Sequence, residues 1–189
     1  MKSMPPPPMA IFATGEEKFE GLSAFIAEAL ELNTDEAIDV LLVARSASSP
    51  VARAVAAHGH MLARRQVRVK AVFGELSAER TRDGWALAGP SMPFTSDVRH
   101  LAARQYHDVH EQLIVGRQHA WFGDSLKRDP DKRDALSLFN RTAASTVEIA
   151  GRSFEMIWGL SNALEVETAA SMRAVHGVVD VGLPECGSV

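Results

Sequence analysis

Apolar positions in this chain follow two periods, and the alternation between them predicts its elements. From Gly15 to Leu32, Phe19, Leu22, Phe25, Ile26, Ala29 and Leu30 recur every three or four residues, which predicts an amphipathic helix ended by Asn33-Thr34. Ile38–Ala44 is a nearly continuous apolar run, as in a strand covered on both faces. Ser46–Pro50 supplies a turn and a helix start. A second helix is predicted from about Pro50 to Arg65, with Val51, Ala54, Val55, His58, Met61 and Leu62 on one stripe. His58 interrupts that stripe and reads as a hydrogen-bonded histidine at the edge of the core. Val67–Phe73 alternates and predicts the next strand. Strand, helix, strand in this order is the βαβ unit of a parallel sheet.

Farther on, Gly74–Pro93 is irregular, with Trp85-Ala86-Leu87 as a brief strand, and Asp97–Ala102 reads as another strand. Val109–Val115, the turn Gly116-Arg117-Gln118 and His119–Phe122 form a hairpin that stops at Gly123. Alternation puts Val109, Glu111, Leu113 and Val115 on one face and His110, Gln112 and Ile114 on the other. His110 and Gln112 are therefore expected side by side. Lys127–Asp134 is a mixed-charge surface loop, Ala135–Phe139 a strand, and Ala143 to Leu164 a long helix. Ile11–Ala13 reads as a short edge strand. Beyond residue 166 the chain changes character: Ala169–Val175 reads as helical and Val178–Leu183 as strand-like. The predicted class is α/β, a mixed, largely parallel β-sheet with helices packed on both faces. The predicted organisation is a proline-rich leader over residues 1–9, one domain over 10–165, and a partly disordered extension over 166–189.

The hairpin resembles the phospholipase D superfamily, whose signature is His-x-Lys-x4-Asp in a strand, with a second strand ending in Gly-Ser or Gly-Gly. Here His110 stands at the histidine, Gln112 at the lysine position, Arg117 at the aspartate position and Gly123 at the glycine, followed by Asp124-Ser125. The element order over roughly residues 10–165 is similar to one family repeat, including Phe154 and Trp158 as the aromatic-x3-Trp ending of its last helix. The resemblance is to the single-motif, nuclease-like branch with a degenerate motif.

In that family, the resemblance implies, one histidine attacks phosphorus and a second, from another copy of the motif, protonates the leaving oxygen. The lysines bind phosphate oxygens and the aspartates tune the histidines. A chain with one motif then needs a twofold-related partner, each contributing His110. Gln112 brings no positive charge, and loss of one such stabilising donor costs about 10²–10³ in rate. Arg117 reverses the charge at the aspartate position, and Asp124 would repel a phosphodiester. The expectation is a domain of weak or no catalysis that acts as a binding or assembly module, as a homodimer. The alternative is an active phosphodiesterase or nuclease with His110 as nucleophile, Gln112 as phosphate donor, and Gly123, Asp124 and Ser125 lining the phosphate. A third reading places a metal on His107, Asp108 and His110; the favoured reading needs neither metal nor cofactor.

Composition narrows the classes. The 189 residues are 46% hydrophobic and 23% charged, ordinary for a globular domain with a sizeable core. A net charge of −4 does not favour nucleic acid or an anionic membrane through bulk electrostatics, and Arg64, Arg65, Arg68 and Lys70 read as a solvated face. No apolar run approaches the roughly 20 residues of a membrane span. Prolines 5–8 interrupt the place of a signal-peptide core, and the single Cys186 fits a reducing compartment. The expected location is cytoplasmic, the expected ligand one that contains phosphate.

Overall fold

The computed structural model describes residues 9–33, 38–74, 97–102, 105, 109–127, 135–141 and 144–163. The expectations for the leader up to residue 8, for Trp85–Leu87, for His107 and Asp108, for most of the 127–134 loop and for residues 164–189 lie outside them. Strand β1 (Met9–Phe12) leads into helix α1 (Gly15–Leu32). Thr14 caps α1 by accepting from the Glu17 N–H, and the Glu17 carboxylate accepts from the Ala13 N–H, a reciprocal start close to a capping box. The helix buries Leu22, Phe25, Ile26, Ala29 and Leu30, the stripe the spacing predicts.

Strand β2 (Asp39–Ala44) follows, then helices α2 (Pro50–Ala57) and α3 (Gly59–Arg64) and strand β3 (Arg68–Phe73). One helix was expected over Pro50–Arg65; the chain instead breaks at His58. The His58 Nε2 lies 2.9 Å from the Ser23 hydroxyl and 3.0 Å from the Ser23 carbonyl, which ties the break to α1. The edge-of-core role expected of His58 is what it has.

Strands β4 (Asp97–His100), β5 (His110–Val115), β6 (His119–Ser125) and β7 (Ala135–Asn140), helix α4 (Ala144–Leu160) and the two-residue β8 (Asn162–Ala163) complete the described chain. Among the described residues the sheet has eight strands in the order β1-β7-β6-β5-β2-β3-β4-β8. The mixed α/β class holds, but the balance within the sheet corrects the expectation of a largely parallel one. Only β2–β3 and β3–β4 pair in parallel; β1–β7, β7–β6, β6–β5, β5–β2 and β4–β8 are antiparallel. Connection length accounts for part of this. The tight turn after Val115 forces an antiparallel neighbour, whereas the parallel β2–β3 pair is joined by the α2–α3 crossover.

Two apolar cores lie on opposite faces. On one, α1, α2 and α3 cover Val40, Leu42, Val69, Ala71, Phe73, Leu113, Val115 and Trp121. On the other, α4 lays Val147, Ala150, Phe154 and Ile157 over Val43, Val72, Ile114 and Ala120. Helices on both faces were expected. The turn of the hairpin needs its glycine: Gly116 has φ +61°, and a Cβ there would fall 2.0 Å from the Asn33 amide nitrogen.

His119 is buried in the first core at 1% exposure, against the Phe25 ring, with neither ring nitrogen hydrogen-bonded. Burial pushes its pKa below the ordinary 6.5, the Glu28 carboxylate opposes this weakly, and Arg141 adds to it. Burial also lowers His58. Both residues bind a proton more readily in the unfolded chain, so their contribution to stability is complete above pH 6.5 and is lost as pH falls below that value. Urea unfolding midpoints are expected to drop between pH 7.5 and pH 5.5, roughly the window in which an ordinary histidine titrates. His119→Phe should flatten that dependence; an equal slope in the variant would remove His119 as its cause.

Candidate functional site

The C-terminal ends of β2, β3, β4 and β6 and the beginning of β5 meet along one edge of the sheet, as their register requires. In open α/β sheets this edge is where ligands bind. His110, Gly123, Asp124 and Ser125 all lie there, because β6 folds back along β5 and sets Ser125 opposite His110. Arg117 does not. It sits exposed in the turn at the far end of β5, one strand length from His110. The residue at the family's aspartate position is thus separated from the histidine it would tune.

His110 and Gln112, expected side by side, differ sharply in exposure. The pairing passes from His110↔Ser125 to Gln112↔Phe122, so β6 carries one extra residue between Phe122 and Ser125. Such a bulge re-aims the side chains around it. His110 ends exposed, whereas Gln112 is 2% exposed with its Nε2 unpartnered. Val109, expected with Glu111 and Leu113, packs against the second core instead. Strict alternation fails at Val109, beside the irregular pairing between His110 and Gln112.

The His110 Nδ1 lies 3.3 Å from the Gly123 carbonyl oxygen. A carbonyl only accepts, so Nδ1 is the protonated nitrogen and Nε2 keeps an in-plane lone pair. Nε2 has no hydrogen-bond partner among the described residues. That tautomer suits nucleophilic attack or acceptance of a ligand's proton.

Behind His110, on the α1 face, lies a charged cluster that sequence reading missed. The Lys18 ammonium donates to Glu111 Oε2 at 2.9 Å, lies 3.7 Å from Asp124 Oδ2, and stands 5.0 Å from the Trp121 ring centre. The Lys18 and Glu111 side chains are only 8% and 7% exposed. The Arg45 backbone N–H donates to Glu111 Oε1 at 3.4 Å, and its guanidinium donates to the Ser125 carbonyl at 3.2 Å. These contacts tie the start of α1, the end of β2 and both strands of the hairpin into one unit. Glu111 did stand in the predicted strand on its core-facing side, a buried carboxylate in search of a cation. Nothing in the local sequence pointed to Lys18, 93 positions away.

Gly123 has a packing reason. A Cβ on it would lie 2.3 Å from the Trp121 ring, which is fully buried. Asp124, expected to face a phosphate, is turned toward Lys18 instead. Ser125 accepts from the Lys127 N–H through its hydroxyl. No group of three or more histidine, cysteine, aspartate or glutamate side chains able to hold a metal occurs among the described residues, and no described helix is long and apolar enough to cross a membrane.

No protein-family model matches the chain, and no curated protein matches it. Solved structures do. NucT from Helicobacter pylori superposes with a TM-score of 0.53 at 13% identity, over 82% of this chain and 98% of that one. TrmBL2, an archaeal chromatin protein described as showing a novel mode of DNA binding, superposes with a TM-score of 0.52 at 12% identity. That match covers 84% of this chain and 54% of TrmBL2, so the chain spans about half its length. Nuc from Salmonella typhimurium, a phospholipase D family member, gives 0.46 at 12% identity, over 74% of this chain and 88% of that one. Identities this low speak to architecture alone: the chain shares the mixed α/β fold of NucT.

Proposed function

We propose that this chain is a phospholipase-D-like domain that works as a binding or assembly module, as a homodimer, and turns over phosphodiesters weakly or not at all. The observation that carries the reading is Gln112. At the family's lysine position stands a neutral amide, 2% exposed, with its donor nitrogen out of reach of a ligand at the open edge. Lys18, which reaches the same hairpin, is held between Glu111 and Asp124 on the α1 face of the sheet. A phosphorane at this edge would lack the charged donor that the family carries two residues after its histidine, a group on which catalysis of this kind depends. A phosphate-containing ligand at His110 remains the binding class this reading favours. The single cysteine makes a cytoplasmic setting the natural one. The printed DNA binding of TrmBL2 makes DNA worth testing beside it, although the net charge of −4 does not favour it.

One observation favours the alternative, an active phosphodiesterase using a phosphohistidine. The bond from Nδ1 to the Gly123 carbonyl presents the His110 Nε2 lone pair outward. The two readings separate cleanly. Wild-type protein and His110→Ala are expected to hydrolyse bis-p-nitrophenyl phosphate and single-stranded DNA equally, at the background rate. Hydrolysis by the wild type that disappears in His110→Ala, with a phosphorylated His110 on rapid quenching, would replace the first reading by the second. Sedimentation tests the homodimer independently.

A further inference from the structure

Strand β2 runs out at Ala44, and the next residue, Arg45, is half-buried at the edge where His110 stands. Two bonds fix it. Its backbone N–H donates to Glu111 Oε1 at 3.4 Å, and its guanidinium donates to the Ser125 carbonyl at 3.2 Å. Ser125 is the residue that pairs with His110 across the hairpin. The His110 imidazole is held in turn by the Gly123 carbonyl, 3.3 Å from Nδ1. A cation and a ring nitrogen are therefore anchored on carbonyls of β6 that lie two residues apart, at most about 7 Å along a strand. The carboxylates of Glu111 and Asp124 lie toward Lys18, on the α1 face.

We propose that Arg45 and His110 together bind a terminal phosphate group, the end of a phosphomonoester, in preference to an internal phosphodiester. This deepens the reading of the edge as a place for a phosphate-containing ligand, and rests on it. A guanidinium presents five N–H donors in a rigid planar fork that matches phosphate oxygens, so Arg45 can hold the Ser125 carbonyl and an oxyanion at once. Because the side chain is already tied to β6, it loses less freedom on binding than a loose surface arginine would.

His110 sets the class of ligand. With the proton on Nδ1, the Nε2 atom offers a lone pair and calls for a donor from the ligand. An internal phosphodiester is an anion with acceptors only, and its oxygens would meet that lone pair with repulsion. A terminal phosphate has a second pKa of about 6, so near neutral pH it can present an O–H to a nitrogen base. One ligand then supplies anionic oxygens to Arg45 and a hydroxyl to Nε2. The cation comes from the end of β2, outside the hairpin that carries the motif, which is why the motif alone does not reveal it.

Calorimetric titration of the full chain at pH 7 and low salt, with phenyl phosphate and with its methyl ester, tests this. The two probes differ by one methyl and by the proton the diester lacks. Phenyl phosphate is expected to bind at least about 10-fold more tightly, and Arg45→Gln to weaken it by about 10- to 100-fold, the usual worth of a charged hydrogen bond. In wild-type protein the nitrogen NMR signals of His110 Nε2 and of the Arg45 guanidinium should both move with phenyl phosphate, and that of Nε2 should stay in place with the methyl ester. Equal binding of the two esters would overturn the terminal-phosphate assignment while leaving a phosphate site at this edge. Binding of phenyl phosphate that folded Arg45→Gln leaves intact would overturn the role of Arg45. Should Arg45→Gln fail to fold, the wild-type spectra decide alone, and an unmoved Nε2 or guanidinium signal overturns the proposal. No binding of either ester at millimolar concentration would sink both the proposal and the phosphate reading beneath it.

Discussion

Lys18→Met is expected to lower the stability of the domain by about 3–5 kcal/mol, the usual consequence of removing one partner from a buried ion pair. The ammonium is the cation that Glu111 and Asp124 share, and both ion partners of the closer pair are almost wholly out of water. Methionine fills a similar volume over Trp121 but leaves the Glu111 carboxylate in a low-dielectric place without a counter-charge. The sign of the double variant is the sharper check. Lys18→Met with Glu111→Leu should recover most of the loss, because it removes the stranded charge along with its partner. Urea denaturation of the two singles and the double, as a cycle, measures the coupling. A single-variant loss under about 1 kcal/mol would mean that water reaches the pair, as at a surface bridge.

Gly123→Ala is the second large effect, expected to cost about 1–3 kcal/mol through overpacking. The added methyl would stand 2.3 Å from the Trp121 ring. That ring cannot give way easily, since it is enclosed by the first core and by Lys18. Denaturant unfolding reads the loss, and a shift in tryptophan emission reports the displaced indole. The outcome bears on function. A destabilised variant means Gly123 is kept for Trp121, whereas an unaffected one would return the glycine to a role at the ligand edge.

Much of the architecture could be read from the chain. The stripe from Leu22 to Leu30 and the run through β2 are periodic over many residues, so hydrophobic spacing alone located α1 and the central strand. The hairpin was legible from Gly116 and the alternation after it, and with it the opposition of His110 to the Gly123–Ser125 corner. The break at His58 was not, because it answers to Ser23 on another helix. The balance of parallel and antiparallel pairs was not either: one βαβ unit is visible in sequence, but strand order across the sheet is a long-range property.

The order of amino acids by itself determined the elements, the α/β class and the edge at which His110 stands, since each follows from spacing within a dozen or so residues. Tertiary structure alone decided what that edge can do. Beside the extra residue in β6, His110 stands exposed, Gln112 is buried and Asp124 lies by Lys18, while the turn carries Arg117 a strand length away. Bulges and ion pairs between distant segments leave no period in a sequence, because the energy that selects them comes from partners the chain meets only when folded.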